Sequence, residues 1–525
     1  MRRPKTSGMA ACLALVLAAC GMDAESAFTT SDRGGAPAPG MSEGDPKGGN
    51  GAEAPPPEKE VESDYEAPVA TGNVVWIANP KSGRVALVDA STLQVRTVEA
   101  GNGPTFLASV PNQPVDTTLV LNVLSEDATL MKVTGDGIKT ASFKTAKLAN
   151  TMVFSSDGRF AIAWADARKV PAAPKTQGFQ DLTILDLTLG TSTILAVGYR
   201  PVAVGFAEGK ARAHAVTQDG VAIIDLSGPP KVTKNVAISA TPTEDPGTRD
   251  VFVTKDGARA FIRRDDSNAI TVVSLDTDAR TDVTLSGPVT DLDLADTGDR
   301  AVAVVRETAE VAVLPIADPT NKTSVTVTGE TIGSVSIAPG GNKALLYTNA
   351  LAIERFSILD IGQSPGVRTV RLYSPVLGIF ATPDAQHAIV LHDKVAPPKE
   401  EGGQAGSPGA FSVVPIGQTL PAKIVATEAA PMAVATTNDR AIVAERDDNT
   451  KVFGAYLARM PQLMVERYPL ASPPIAVGAV PNAKRVFVAQ QHPEGRLTFI
   501  DIESGVARTL TGFELSSRVV DGSKP

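Results

Sequence analysis

Three short runs of charge have the residue types and spacing for chemistry at a surface: Arg263-Arg264-Asp265-Asp266, Arg306-Glu307 and Glu445-Arg446-Asp447-Asp448. Guanidinium groups beside carboxylates make a polar rim suited to a partner protein or a glycan, and paired aspartates are the type that takes a hard cation. The same acids have a plainer use, because Asp in a hairpin bonds its own backbone and tolerates unusual dihedrals. These ten residues form the candidate binding face. No catalytic set accompanies them. Gly362-Gln363-Ser364-Pro365-Gly366 matches G-x-S-x-G in letters, but the strand-like VRTVRLY follows it where a nucleophile elbow needs a helix. The four histidines are His214, His387, His392 and His492. His387 and His392 flank one strand at an odd spacing that puts them on opposite faces, so they share no metal. There is no H-E-x-x-H, phosphate-binding glycine loop, c-type haem attachment motif or EF-hand. The expectation is no catalytic residue, no metal ligand and no cofactor.

The elements that position these residues are repeats of strands. From Asn73 onward each unit reads as an apolar strand, often entered through proline, a tight polar turn, a second strand, a third ending in a hydrophobic pair plus Asp, and a Thr/Val-rich fourth. Turns such as Ser156-Asp157-Gly158-Arg159 and Lys255-Asp256-Gly257 join first to second strands, and LTILDL at Leu182, VAIIDL at Val221 and LTFIDI at Leu497 mark third strands. The Asp that closes third strands (Asp89, Asp186, Asp225, Asp276, Asp360, Asp501) occurs once per unit, which is turn-capping chemistry and not a carboxylate pair around one substrate. Units start near Pro104, Ala149, Pro201, Arg249, Pro288, Ile332, Pro375, Pro431 and Pro474. Four short strands at such a period, with no helical periodicity between them, indicate propeller blades. The long connections (Asp166 to Gln180, Ser239 to Thr248, Asp393 to Ala410) fall on the face that carries the charged runs, where binding commonly resides.

The stretch WIANPKSGRVALVDASTLQVRTVEAGNGPTFLA, Trp76 to Ala108, resembles the repeat of YVTN-type, WD40-like β-propellers, and the likeness extends more weakly over the body. It implies an all-β propeller of four-stranded blades. Nine complete units follow an opening one, Asn73 to Glu99, that lacks its first strand. Leu515 to Val520 is expected to supply that strand and close a single ring of about ten blades, with two tandem propellers as the alternative.

Ahead of the body, Arg2, Arg3 and Lys5 precede an apolar run, Met9 to Ala19, too short to span a bilayer. Leu17-Ala18-Ala19-Cys20 resembles the lipobox of bacterial lipoproteins, which implies a signal at 1–19 and a lipidated Cys20 as the new N-terminus. Cys12 leaves with the signal, so the mature chain carries no free thiol, and disulfides and thiol catalysis are excluded. Residues 20–72 read as the lipidated cysteine and a disordered acidic Pro/Gly-rich tether, with a reach of roughly 40 Å for a coil of that length; 73–525 is the propeller. Net charge is −9, and −12 once the three basic residues of the signal are gone. Most of that acidity sits in the tether, and no basic stripe offers itself to nucleic acid. Gly21 after the cysteine is similar to lipoproteins sorted to an outer membrane. The expected role is a non-enzymatic, membrane-anchored platform for an envelope or surface protein; a small-molecule receptor and a lactonase-like hydrolase are the alternatives.

Overall fold

The structure, a computed structural model, describes residues 28–29, 66–135, 137–166, 179–239, 244, 246–362, 365–372, 374–392, 407–460, 462–515 and 518–519. It contains ten sheets, each built on four antiparallel strands in chain order, and two of them carry a fifth strand. Each sheet is a blade. Inner strands lie at Val69–Ala70, Pro104–Ser109, Thr151–Phe154, Ala203–Phe206, Arg249–Val253, Val289–Leu294, Ser334–Ile337, Val376–Ala381, Ala430–Thr436 and Pro474–Val480, which define blades 1 to 10. The last nine begin within about two residues of the starts read from the sequence.

Period-2 alternation explains why these strands build a ring. In the second strand of blade 1, Val74–Asn79, residues Val74, Trp76 and Ala78 pack toward blade 2, while Val75 and Ile77 pack toward blade 10. Successive side chains point to opposite faces of a sheet, so a strand that is apolar throughout needs a neighbour on each side. Every blade has this character. Ten apolar clusters result, one at each blade-to-blade junction, and the tenth joins Phe487 and Phe499 of blade 10 to Val75 and Val88 of blade 1. The molecule is therefore one ten-bladed ring, not two propellers.

Closure uses a different device from the one expected. The C-terminal segment returns to blade 1, but Arg518–Val519 pairs in parallel with Arg96 and Thr97 at the outer edge. The inner position is filled from the other end of the chain: Val69 and Ala70 pair with Trp76 and Val75. Blade 1 thus owns its inner strand, for the physical reason that the two residues just before the Thr71 turn can fold straight back onto the next strand. Polar clasps reinforce the junction. Glu514 accepts bonds from Asn79 Nδ2 (2.9 Å) and Ser82 Oγ (2.7 Å), and the Asn482 amide donates to the Gly72 carbonyl (3.0 Å).

The turns follow one recipe. Ser155 Oγ and the Arg159 amide both donate to Asp157, and Gly158 takes φ +68°; Thr254, Asp256, Ala258 and Gly257 repeat it in blade 5. Third-strand aspartates cap as expected at Asp89, Asp186, Asp225 and Asp501, each accepting an amide two residues on. Asp276 and Asp360 instead receive Arg212 and Lys343.

Phe487→Ala is expected to cost about 3–5 kcal/mol, because it opens a void at the closing junction. Truncation after Leu515 removes only an outer-edge strand and is expected to leave a single cooperative transition near the wild-type midpoint. Denaturant unfolding checks both, and the reverse ranking would restore closure by the C-terminal strand.

Candidate functional site

Connections between second and third strands, and from each outer strand to the next blade, emerge on one face of a propeller; the remaining turns emerge on the other. Arg263 and Arg264 end the second strand of blade 5, Arg259–Arg264, with Asp265 and Asp266 in the turn. Arg306 and Glu307 follow the equivalent strand of blade 6, Arg300–Val305, and Glu445 to Asp448 close that of blade 9, Arg440–Asp447. All ten candidate residues therefore share one face. They divide sharply by burial.

Arg263 is buried, with Nε donating to Asp250 (2.7 Å) and Nη1 to Asp265 (3.0 Å) and to the Val289 carbonyl (3.1 Å), the last across to blade 6. Glu445 is wholly buried. It accepts the amides of Glu428 and Ala429 (2.8 and 2.9 Å), Tyr456 Oη (3.2 Å) and Arg467 Nε (2.7 Å). These two secure the connectors between blades, Glu445 as acceptor for covered amides and Arg263 as donor to a covered carbonyl. Glu310 does the same in blade 6. Although burial alone would raise its pKa, bonds from Ser286 and Ser324 and the nearby Lys322 bring it down to about 2. Arg264 ties Glu244 (2.8 Å) to the Ile238 carbonyl, and Arg446 holds Asp448 (2.9 Å) and the Pro474 carbonyl. Asp447 receives the Asn449 and Thr450 amides as a turn cap. Asp265, Asp266, Arg306, Glu307 and Asp448 remain exposed to solvent.

The long connections 167–178 and 393–406, most of 240–245, Gln363 and Ser364 of the G-x-S-x-G match, and Cys20 lie outside the described residues. His392 is a core histidine, its ring nitrogens against the Pro375 carbonyl (3.2 Å) and Ser412 Oγ (2.6 Å).

For a second feature the sequence named no residues. The central channel contains a cavity of about 550 Å³, walled by the inner strands of blades 3 to 6 and reaching the turns at Asp157, Lys210, Lys255 and Gly298, on the face opposite the charged runs. Its walls carry Phe154, Phe206 and Phe252 among valines. The charged groups beside it are compensated within the protein: Arg159 by Asp186, Lys255 by Glu208, Arg249 by Glu244, Asp250 by Arg263, and Arg300 by Asp299. Lys210 stands exposed at the rim, near Asp256.

Two polar groups break the repeat pattern here. Asp291 and Asp293 alternate along the inner strand of blade 6 and accept the inner-edge amides of Val335 and Ile337 of blade 7 (2.8 Å each), groups that no strand pairs with. Burial first, then the neighbouring carboxylate charges, raise Asp291 to about 7 and Asp293 to about 6.

The other exception is His214. Register with the third strand places one residue of every second strand at the same level: Trp76, Leu119, Ile162, Phe261, Val302, Leu345, Ile389, Ile442 and Phe487 in nine blades, all apolar and almost fully buried. In blade 4 that residue is His214. Its inner-strand partner is Gly205, where an added methyl would stand 2.8 Å from the ring's Cε1 and Nε2. Nδ1 is buried without a hydrogen-bond partner. Burial, and then the Arg212 charge, push the imidazole down to about 4. The signal was present in RAHAV, a histidine where the other units place a large hydrophobe.

No protein-family model matches the chain, and no curated protein matches it. Among solved structures it is similar to the hydrazine synthase of Kuenenia stuttgartiensis (15% identity, TM-score 0.32, 59% of this chain and 95% of that one). It is also similar to the dihydro-heme d1 dehydrogenase NirN in complex with DHE (14%, 0.38, 66% and 76%) and to the Cps50 (Swd1) β-propeller domain of Myceliophteria thermophila (8%, 0.34, 62% and 99%).

Glu445→Ala is expected to cost about 3–5 kcal/mol, since it leaves two covered amides and Tyr456 Oη without their acceptor and Arg467 with Glu428 alone; denaturant unfolding reads it. An unfolded histidine takes its proton near pH 6.5 and the folded His214 only near 4, so between those values the unfolded chain binds more protons and stability falls as pH falls. His214→Phe removes that loss. Melting curves of wild type and variant should run parallel above pH 7 and diverge below 6.5, with the wild type falling faster.

Proposed function

We propose that this chain is a lipid-anchored, extracytoplasmic β-propeller that serves as a protein-binding or assembly platform at the cell envelope, with its partner meeting the charged face. The observation that carries the reading is one-sidedness. Asp265, Asp266, Arg306, Glu307 and Asp448, contributed by three blades, reach solvent on a single face of a rigid ring, while Arg263, Arg264, Glu445 and Arg446 hold the backbone beneath them. Mixed charges on a preformed surface favour encounter and orientation of a complementary partner over chemistry. The anchor rests on the lipobox resemblance at Leu17 to Cys20, and Gly21 supports an outer membrane as its site. A tether within 20–72 would link the body to that membrane, although two of its described pieces, Phe28–Thr29 on blade 9 and Val69–Ala70 in blade 1, belong to the ring.

Two tests address the two halves. Metabolic labelling with an alkyne analogue of palmitate should tag the wild-type chain and leave Cys20→Ser unlabelled; equal labelling would remove the anchor. Charge reversal at exposed positions alone (Asp266→Lys, Arg306→Glu, Glu307→Lys and Asp448→Lys together) should leave the melting temperature within a few degrees. The same variant should abolish capture of a saturable partner by cross-linking in native membranes. Undiminished capture would move the interface elsewhere.

A further inference from the structure

The geometry points to a second site, independent of the platform face: the channel cavity between blades 3 and 6 binds an uncharged, largely apolar organic molecule carrying one hydrogen-bond-accepting oxygen, which His214 Nε2–H engages across Gly205. Four observations converge on it. The cavity has the volume of a small-molecule site, and such sites are apolar with few placed polar groups. Phe154, Phe206 and Phe252 come from three successive inner strands and supply aromatic wall. The charged groups along the wall are committed to partners inside the protein, and both oxygens of Asp293 hold backbone amides, so nothing buried there calls for an ionic ligand.

The fourth is the substitution of histidine into a layer that is apolar in the nine other blades. A buried polar group without a partner costs free energy that Leu or Phe would avoid. Gly205 supplies what the histidine needs in order to be useful, because any side chain there would occupy the space of its Nε2 edge. The tautomer follows from the surroundings. Nδ1 is sealed with no acceptor near it, and a buried N–H without a partner is rarer than an unused lone pair. The proton therefore sits on Nε2, at the cavity side, and asks for a carbonyl or ether oxygen.

Prodan, an uncharged naphthalene ketone, is the probe: its emission reports both an apolar surrounding and a hydrogen bond to its carbonyl. Titrated into the full-length chain, it should bind saturably at one site with emission shifted by that bond. His214→Phe restores the residue type of the other blades, so it should fold and melt at least as high as wild type at pH 7.5. It should also weaken Prodan by about tenfold and lose the hydrogen-bond component of the emission. Gly205→Val should weaken binding as well, and His214→Gln, which keeps an N–H donor, should recover part of it. A wild-type titration that never saturates, or equal affinity in the folded His214→Phe protein, would overturn the proposal. Neither result touches the charged-face capture, and loss of that capture leaves Prodan binding intact.

Discussion

Everything in this molecule follows from strands that are apolar on both faces. A half-buried strand alternates, and one covering sheet satisfies it. Here residues at both parities are large and hydrophobic, as in VVWIA at 74–78 and RAVAVV at 300–305, so each sheet needs two neighbours, and so does each neighbour. A linear stack would leave two apolar faces exposed at its ends; a ring leaves none. The core is consequently not one interior but ten equivalent junctions, each built from the facing halves of two blades. Stability is distributed in the same way, and closure depends on Phe487 and Phe499 meeting Val75 and Val88, not on any shared strand.

The ring sets a second problem, which is where buried polar backbone finds partners. Connectors between blades pass over the ends of second strands, and their amides are covered there. Glu445 and Glu310 accept from those amides, and Arg263 donates to the covered Val289 carbonyl, which is why charge runs that look like a recognition surface are half structural. Along the axis, inner-edge amides face a channel instead of a strand. Asp291 and Asp293 take the place of the missing ladder for blade 7, at the expense of holding carboxylates where burial resists their ionisation.

Blade positions were legible because turn chemistry is local: Ser/Thr-x-Asp-Gly sets a hairpin without help from the rest of the chain. The third-strand aspartates were legible for the same reason. What escaped was anything that depends on two distant segments. Val69–Ala70 has no pattern at two residues long, so blade 1 looked incomplete and the C-terminal segment looked like its missing strand. The channel cavity needs four blades to exist. His214 needed a register across all ten units before a lone histidine in RAHAV became an exception, and Arg263 and Arg264, adjacent in sequence and similar in appearance, separated only when burial was known.

The short inner strand of blade 1 has a mechanical consequence. Tension applied to the chain between Thr29, itself paired on blade 9, and Glu66 is delivered to Val69 and Ala70, which lie antiparallel against Val75 and Trp76, and to the Glu66 amide on the Ala78 carbonyl. That load opens a few bonds one after another, as a zipper opens, and does not shear a full strand. The blade-10 junction and the Glu514 clasp lie outside its path. The segment works as a fuse: such a pull gives way at two residues, while the ring behind it stays closed.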